Sequence, residues 1–362
     1  MIKRVNQLRK FIAYFVLLSM LGGCVQKEVL DDISLIEGIG FDLSEKGKIL
    51  GTVTYPLYLR DSPPKNEAYS AEAIIKKSIL QDIQQQTTDP IVTGSIEVVL
   101  FGKDIAKKEG ILDLVDAFQR DPGVGSGLYL AVTAGDAKPL LEGDYGIQGN
   151  GTFISNLIEH NIKQEELPQS NLHLFLHDFY QEGKTPYLPQ LKQLSKKKIE
   201  VSGIALFSHG KVIDVIPPGK MFFFKLLVDK FSEGMHRVHI EDGDAAIRSI
   251  KSRHDYKLTK RNPKEVTIHL KVRGLINEFT GNRLTPEKIK ELEKAFETEI
   301  NKECEKMIEG FRDKELDPLG LGHFVKTKTR NFNIEKWRRE EYPTLTVKVK
   351  SKVTITQTGV IQ

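Results

Sequence analysis

The amino-acid sequence predicts an α+β fold of three domains, with antiparallel or mixed sheets packed against helices, behind an N-terminal signal segment. Three observations lead there. Over residues 33–132 the apolar runs come in the order ββαβαβ, not in the strict alternation of a doubly wound sheet. Two segments near the C-terminus alternate apolar and polar residues on either side of one long amphipathic helix. The 339 residues from 24 to 362 exceed what a single core supports. The expected parts are a signal peptide over 1–23, an N-terminal α+β domain over 24–195, a small middle domain over 196–243 and a C-terminal antiparallel domain over 244–362.

The first element is the signal segment. Lys3, Arg4, Arg9 and Lys10 precede the apolar run 11–20, which is too short to span a bilayer and breaks at Gly22-Gly23. Leu21-Gly22-Gly23-Cys24 resembles the bacterial lipoprotein box, whose cysteine receives a diacylglyceryl group and becomes the mature N-terminus. That resemblance implies lipidation at Cys24; the alternative is an ordinary secretory signal with a chance cysteine. Two acyl chains, at about 0.8 kcal/mol per buried methylene, hold a protein stably to a bilayer.

Without residues 1–23 the 53 Lys+Arg become 49, against 49 Asp+Glu. The mature chain is formally neutral, which gives no reason to expect a nucleic-acid partner. Besides Cys24 the only cysteine is Cys304, so no intrachain disulfide and no cysteine zinc cluster is expected.

After a short polar tether, Ile33–Phe41 and Ile49–Leu57 flank Ser44-Glu45-Lys46-Gly47 as a first hairpin. Ala71, Ile74, Ile75, Ile79 and Ile83 predict a helix over 71–86, and Ile105, Ile111, Leu112, Val115 and Phe118 predict another over 104–119. Strands follow at 96–101 and 128–132, then weaker helices at 149–160 and 172–180. Pro186, Pro189 and the run Lys196-Lys197-Lys198 suggest a domain junction over 183–198. Val201–Phe207 and Lys211–Ile216 alternate around Ser208-His209-Gly210, a second hairpin. Pro217-Pro218-Gly219 then opens a helix over 221–231 that is apolar all round, which points either to the core or to a subunit contact. Residues 246–258 and 266–276 form a hairpin, and 345–355 adds a strand. Between them Thr285 caps a long helix whose apolar stripe includes Leu292, Phe296, Ile300, Cys304 and Phe311, placing that thiol inside.

No enzyme emerges from the motifs. The nine histidines make no HExxH, CxxC-paired or GxSxG context, and His173 and His177 lack a third ligand nearby in sequence. Gly123-Val124-Gly125-Ser126-Gly127 runs helix, loop, strand, whereas a phosphate cradle needs strand, loop, helix. No catalytic, metal-binding or cofactor-binding residue is therefore assigned.

Several stretches in order resemble the Ger(x)C family, the lipoprotein C subunits of nutrient germinant receptors in spore-forming bacteria. They are IEGIGFD at 36–42, QRDPG at 119–123, AVTAGDAKPLLEG at 131–143, VSGIALFSHGKVIDVIPPGKM at 201–221, DPLGLG at 317–322, Trp337 in EKWRREEYP, and a closing TGVI. Two departures stand out: Val25-Gln26 where family members commonly carry Trp-Asp, and Gly123-Val124-Gly125-Ser126 where an arginine-rich segment is usual. The resemblance implies a non-enzymatic accessory subunit, anchored through Cys24 on the outer face of the spore's inner membrane. It also implies A-type and B-type integral-membrane subunits as partners. The alternative from another class is a substrate-binding lipoprotein of an importer; a lipid-anchored wall hydrolase is disfavoured by the missing metal and nucleophile motifs.

Overall fold

The computed structural model describes residues 33–58, 64–73, 79–230, 233–261 and 264–356. The expected signal segment, Cys24, the tether and the closing TGVI lie outside these residues. From Ser34 onward the chain forms one compact unit.

The first part runs β1 (Ser34–Leu35), β2 (Gly38–Leu43), β3 (Ile49–Leu57), β4 (Lys65–Ala73), α1 (Ile79–Gln84), β5 (Ile91–Val92), β6 (Val98–Phe101), α2 (Leu112–Gln119), β7 (Tyr129–Thr133), α3 (Lys138–Leu141), α4 (Asn150–Gln164), α5 (Leu172–Tyr180), β8 (Tyr187–Ser195), β9 (Lys198–Ser208) and β10 (Lys211–Ile216). Eight of these strands make one mixed sheet in the order β10-β9-β8-β7-β6-β2-β3-β4, and β1 pairs with β5 in a small parallel ladder. The central strands β2, β6, β7 and β8 are parallel to one another, while the flanking pairs are antiparallel.

Successive side chains of a strand point to opposite faces, and β6 shows the consequence: Val98 and Leu100 enter one core, Val99 and Phe101 the other. A central parallel strand covered on both faces reads as an unbroken apolar run, as Val98–Phe101 does. The first core gathers α3, α4 and the later helices, and the second gathers α1, α2 and α5.

Three expectations change here. Of the helix expected over 71–86 the described part is Ile79–Gln84, and 71–73 lie instead in β4, because 65–73 pairs with β3 from Leu57↔Lys65 to Ile49↔Ala73 and that ladder claims its main chain. The helix expected over 104–119 is broken: a π-turn covers Ile105–Glu109, Gly110 adopts a positive φ of 91°, and α2 starts afresh. The expected junction at 183–198 contains strand β8, whose Leu188 and Leu191 are fully buried. Pro189 is tolerated there because pairing with β7 begins only at Gln190.

The second part runs α6 (Pro218–Val228), β11 (Gly234–Ile240), β12 (Gly243–Arg261), β13 (Lys264–Phe279), α7 (Pro286–Asp313), α8 (Leu321–Lys328), a short helical segment over 334–341 and β14 (Thr346–Ile355). These four strands form a sheet in the order β11-β12-β13-β14. Main-chain ladders cross both expected divisions, at 195/196 through the β8–β9 hairpin and at 243/244 through the β11–β12 hairpin. The C-terminal sheet is not wholly antiparallel, since β14 runs parallel to β13. Parallel neighbours need a long crossover, and α7 supplies it.

Helix α7 begins as expected, with the Thr285 hydroxyl accepting from Lys288 N and Pro286 at the first position. Leu292, Phe296, Ile300, Cys304, Ile308 and Phe311 form its buried stripe. Its neighbouring stripe does something the sequence did not disclose. Glu293, Glu297, Asn301 and Glu305 each accept a main-chain N–H of β14, from Ile355, Val353, Ser351 and Val349 respectively, all at 2.8 Å. Four helical residues rise about 6.0 Å and two strand residues about 6.6 Å, so the two repeats keep step. The free edge of the sheet is thereby covered by side chains instead of another strand.

Candidate functional site

The sequence stretches that carried the resemblance meet in pairs. Asp42, closing IEGIGFD, is buried, and its carboxylate accepts the N–H groups of Ala137 (2.7 Å) and Lys138 (2.9 Å) at the start of α3. Burial pushes this carboxyl above its usual range, while those two amides pull it back. A Cβ on Gly40 would stand 2.8 Å from Leu141 Cδ1 and 3.0 Å from Ala137 Cβ, so the glycine is what lets β2 lie against α3. The motif at 36–42 and the motif at 131–143 are thus two halves of one packing joint.

A similar joint forms at the start of α4. Glu37 accepts from Thr152 N at 3.3 Å, while Glu97 accepts from the Thr152 hydroxyl at 3.0 Å and from the Ser155 hydroxyl. Carboxylates at the positive end of a helix are stabilised there. Burial raises the pKa of Glu37. Both acids are engaged by residues at the start of the helix.

The third joint is DPLGLG. Asp317 accepts from Leu321 N (2.8 Å) and Gly322 N (2.7 Å), capping α8 with a buried carboxylate. Its own N–H donates to the Thr185 hydroxyl at 2.8 Å, and Thr185 N donates back to the Asp317 carbonyl. Desolvation pushes this carboxyl up to about 6 against the pull of the amides. Gly322 lets Gly183 and Trp337 close in: a Cβ there would stand 2.6 Å from Trp337 Nε1 and 2.9 Å from Gly183 Cα. The Tyr342 hydroxyl donates to the Leu316 carbonyl beside it. Around this joint lies a cavity of about 320 Å³ lined in part by Thr185, His209, Lys314, Asp317, Trp337 and Arg338. Its lysines are committed elsewhere, Lys314 to Asp214 (2.6 Å) and Lys184 to Asp178 (2.7 Å).

The hairpin Ser208-His209-Gly210 forms as expected, with positive φ at His209 (49°) and Gly210 (79°), as a two-residue loop with matching twist requires. The all-apolar helix resolves to core: Phe222, Phe223 and Phe224 are 3%, 1% and 0% exposed. Their rings meet His236, Phe296, Tyr187 and Phe311. The subunit-contact reading of this helix is set aside, because its side chains are already surrounded by the chain's own. Lys225 within it was not foreseen as a structural group. It is 2% exposed and donates to the carbonyls of Ile162 (2.8 Å) and Glu165 (2.6 Å) at the end of α4. Burial lowers its pKa.

His173 and His177 line a cavity of about 450 Å³ with Phe118 and Tyr180, and His177 Nδ1 lies 3.0 Å from Asp178 Oδ1. Among the described residues no group of three or more His, Cys, Asp or Glu is arranged to hold a metal ion. Cys304 is fully buried with its thiol pushed up by desolvation, as a structural cysteine should be. The glycine stretch 123–127 is a turn between α2 and β7, pinned by Gly123 N donating to Asp121 Oδ1.

These joints hold a packed scaffold together, and comparison with known proteins says which family it belongs to. Residues 26–193 match the family described as spore germination protein N-terminal domain, and residues 202–359 match the family described as spore germination B3/GerAC like, C-terminal. The chain is 31% identical over 363 aligned positions to spore germination protein GerQC of Bacillus cereus, covering 98% of this chain and 100% of that one. The crystal structure of the GerBC protein superposes with a TM-score of 0.60 at 15% identity, covering 91% of this chain and 99% of that one, and so shares its fold. The chain belongs to the Ger(x)C family of spore germination proteins.

Proposed function

We propose that this protein is the C subunit of a nutrient germinant receptor, anchored through diacylated Cys24 to the outer face of the spore's inner membrane and acting without catalysis. Its partners in this reading are the A-type and B-type integral-membrane subunits. The observation that carries the reading is the conjunction of a lipobox ending at Cys24 with family membership spanning residues 26–359. No helix among the described residues is long and apolar enough to cross a membrane. Gly40, Asp42, Asp317 and Gly322, which lie in the stretches that carry the resemblance, all serve packing, which suits a scaffold subunit. A subunit of this kind influences its partners only through contacts that differ between their resting and triggered states.

The importer reading has no support in the described residues, whose mixed sheets do not form two lobes of alternating βα units around a cleft. Acyl labelling and fractionation of spores carrying Cys24→Ala test the anchor. The expected result is loss of the label, with the protein either retaining its signal segment or leaving the membrane fraction. An unacylated, signal-cleaved Cys24→Ala protein fully retained on the membrane overturns the reading.

A further inference from the structure

One end of the eight-stranded sheet combines two features. It is where the described chain enters the fold: Ser34 pairs with Ile91, and Glu37 N donates to the Thr54 carbonyl just before β2 begins. It also carries Leu57, Tyr58 and Ile147, which are 39%, 72% and 69% exposed. Leu57 and Tyr58 stand at the end of β3. Partial burial, then the Glu37 and Glu97 charges, raise the Tyr58 pKa. Ile147 precedes Gly149, whose missing side chain makes room for the Glu37 carboxylate. The same corner is tied together by Asn150 N donating to Asn66 Oδ1 at 2.7 Å, with Asn66 paired across to Pro56 of β3. The three exposed apolar side chains therefore surround one corner, built from the starts of β2, β4 and α4 and the end of β3.

Only nine residues separate Cys24 from Ser34. Fully extended, that stretch reaches about 35 Å. If Cys24 carries the lipid, the end of the sheet at which Ser34 enters is held within that distance of the bilayer. We propose that Leu57, Tyr58 and Ile147 form a contact with the phospholipid surface, seating this corner at the boundary between headgroups and acyl chains and fixing how the protein stands on the membrane. The proposal rests on the lipid-anchor reading above. Tyrosine suits that depth because its ring is apolar and its hydroxyl stays wet, and leucine and isoleucine bury outright. A patch of three side chains would be too weak to recruit a free protein. Tethering makes its contact an intramolecular event at high effective concentration, so a weak patch suffices to orient. The corner's carboxylates do not oppose an anionic surface as free charges, since Glu37 and Glu97 are engaged by Thr152, Ser155 and the N-terminus of α4. Of the other large exposed apolar residues, Leu194 neighbours Gln193, whose amide donates to the Tyr145 hydroxyl two residues before Ile147, whereas Ile213 on β10, at the opposite edge of the sheet, and Met235 on β11 serve as controls.

The test uses the full-length acylated protein in vesicles of phosphatidylglycerol and phosphatidylethanolamine. Single-cysteine variants Tyr58→Cys, Ile147→Cys, Ile213→Cys and Met235→Cys carry an environment-sensitive fluorophore; Cys24 is blocked by acylation and Cys304 is buried. The expected result is a blue shift and quenching by brominated acyl chains for the labels at 58 and 147, with water-like emission at 213 and 235. Water-like emission at 58 and 147 in protein that floats with the vesicles overturns this contact and leaves the anchor standing. A blue shift that needs co-reconstituted integral-membrane subunits also overturns it, assigning the corner to a protein partner. Protein that fails to float overturns the anchor itself, and this contact with it.

Discussion

Replacing Asp317 tests whether the DPLGLG joint holds the fold as its geometry says. Asp317→Ala strips the cap from Leu321 N and Gly322 N, two amides inside the protein. Each buried donor left without a partner costs about 1–3 kcal/mol, partly offset because a desolvated carboxylate is removed, for a net loss of about 2–4 kcal/mol. At about 2.1 cal/mol/K of unfolding entropy per residue, a unit of about 330 residues loses about 1.4 °C per kcal/mol, so Tm should fall by about 3–6 °C. Asp317→Asn keeps one acceptor and removes the titration. The carboxyl's folded pKa, about 6, lies above the ordinary value of 3.8, so between those values the folded state binds the extra proton. Its contribution is therefore fully present below pH 3.8 and lost as pH rises through 6. From pH 7.5 to pH 5 the wild type should gain about 1.4 kcal/mol, or about 2 °C, that Asp317→Asn does not gain. Differential scanning calorimetry of residues 25–362 of both proteins at the two pH values reads this directly. A wild-type-minus-Asn difference that stays flat with pH would refute the claim that burial governs this carboxyl.

Three further outcomes follow from the packing. Lys225→Ala leaves the Ile162 and Glu165 carbonyls unpartnered beside a cavity and should cost about 3 kcal/mol, whereas Lys225→Met, which keeps the volume and removes a buried charge, should cost less than half as much in the same melting assay. Phe223→Asp places an unpaired charge at a site that is 1% exposed and should unfold the isolated protein, seen as loss of near-ultraviolet dichroism; a folded Phe223→Asp protein would show that α6 is not core. Glu297→Ala removes the acceptor of Val353 N and should cost about 1.5 kcal/mol, with faster hydrogen exchange at Val353 while Val349 keeps its protection.

Much of the fold was legible because apolar periodicity reports burial. The long helix, its Thr285 cap, the β12–β13 hairpin and the hairpin at Ser208-His209-Gly210 follow from spacing and turn chemistry alone. What was not legible depends on partners distant in sequence. Residues 71–73 carry a helix-like pattern, yet β3 offers them an open ladder. Residues 186–198 look like a linker because of their prolines and lysines, yet Leu188 and Leu191 are drawn between two neighbouring strands. The parallel β14 and its row of glutamate and asparagine acceptors on α7 were hidden for a related reason: the four-residue spacing of Glu293, Glu297, Asn301 and Glu305 is visible, but an ordinary solvated helix face has it too. Lys225 could have been found, since a single lysine inside seven otherwise apolar residues must either bury with partners or break the helix.

The anchored-subunit account makes its sharpest commitment about company. Affinity purification of the tagged, full-length chain from detergent-extracted spore inner membranes, followed by mass spectrometry, reads that company out. The account predicts one A-type and one B-type integral-membrane subunit recovered with it, and their loss when Cys24→Ala releases the protein from the membrane. Recovery of an importer's permease and ATPase instead, or of no integral-membrane protein at all, would contradict it.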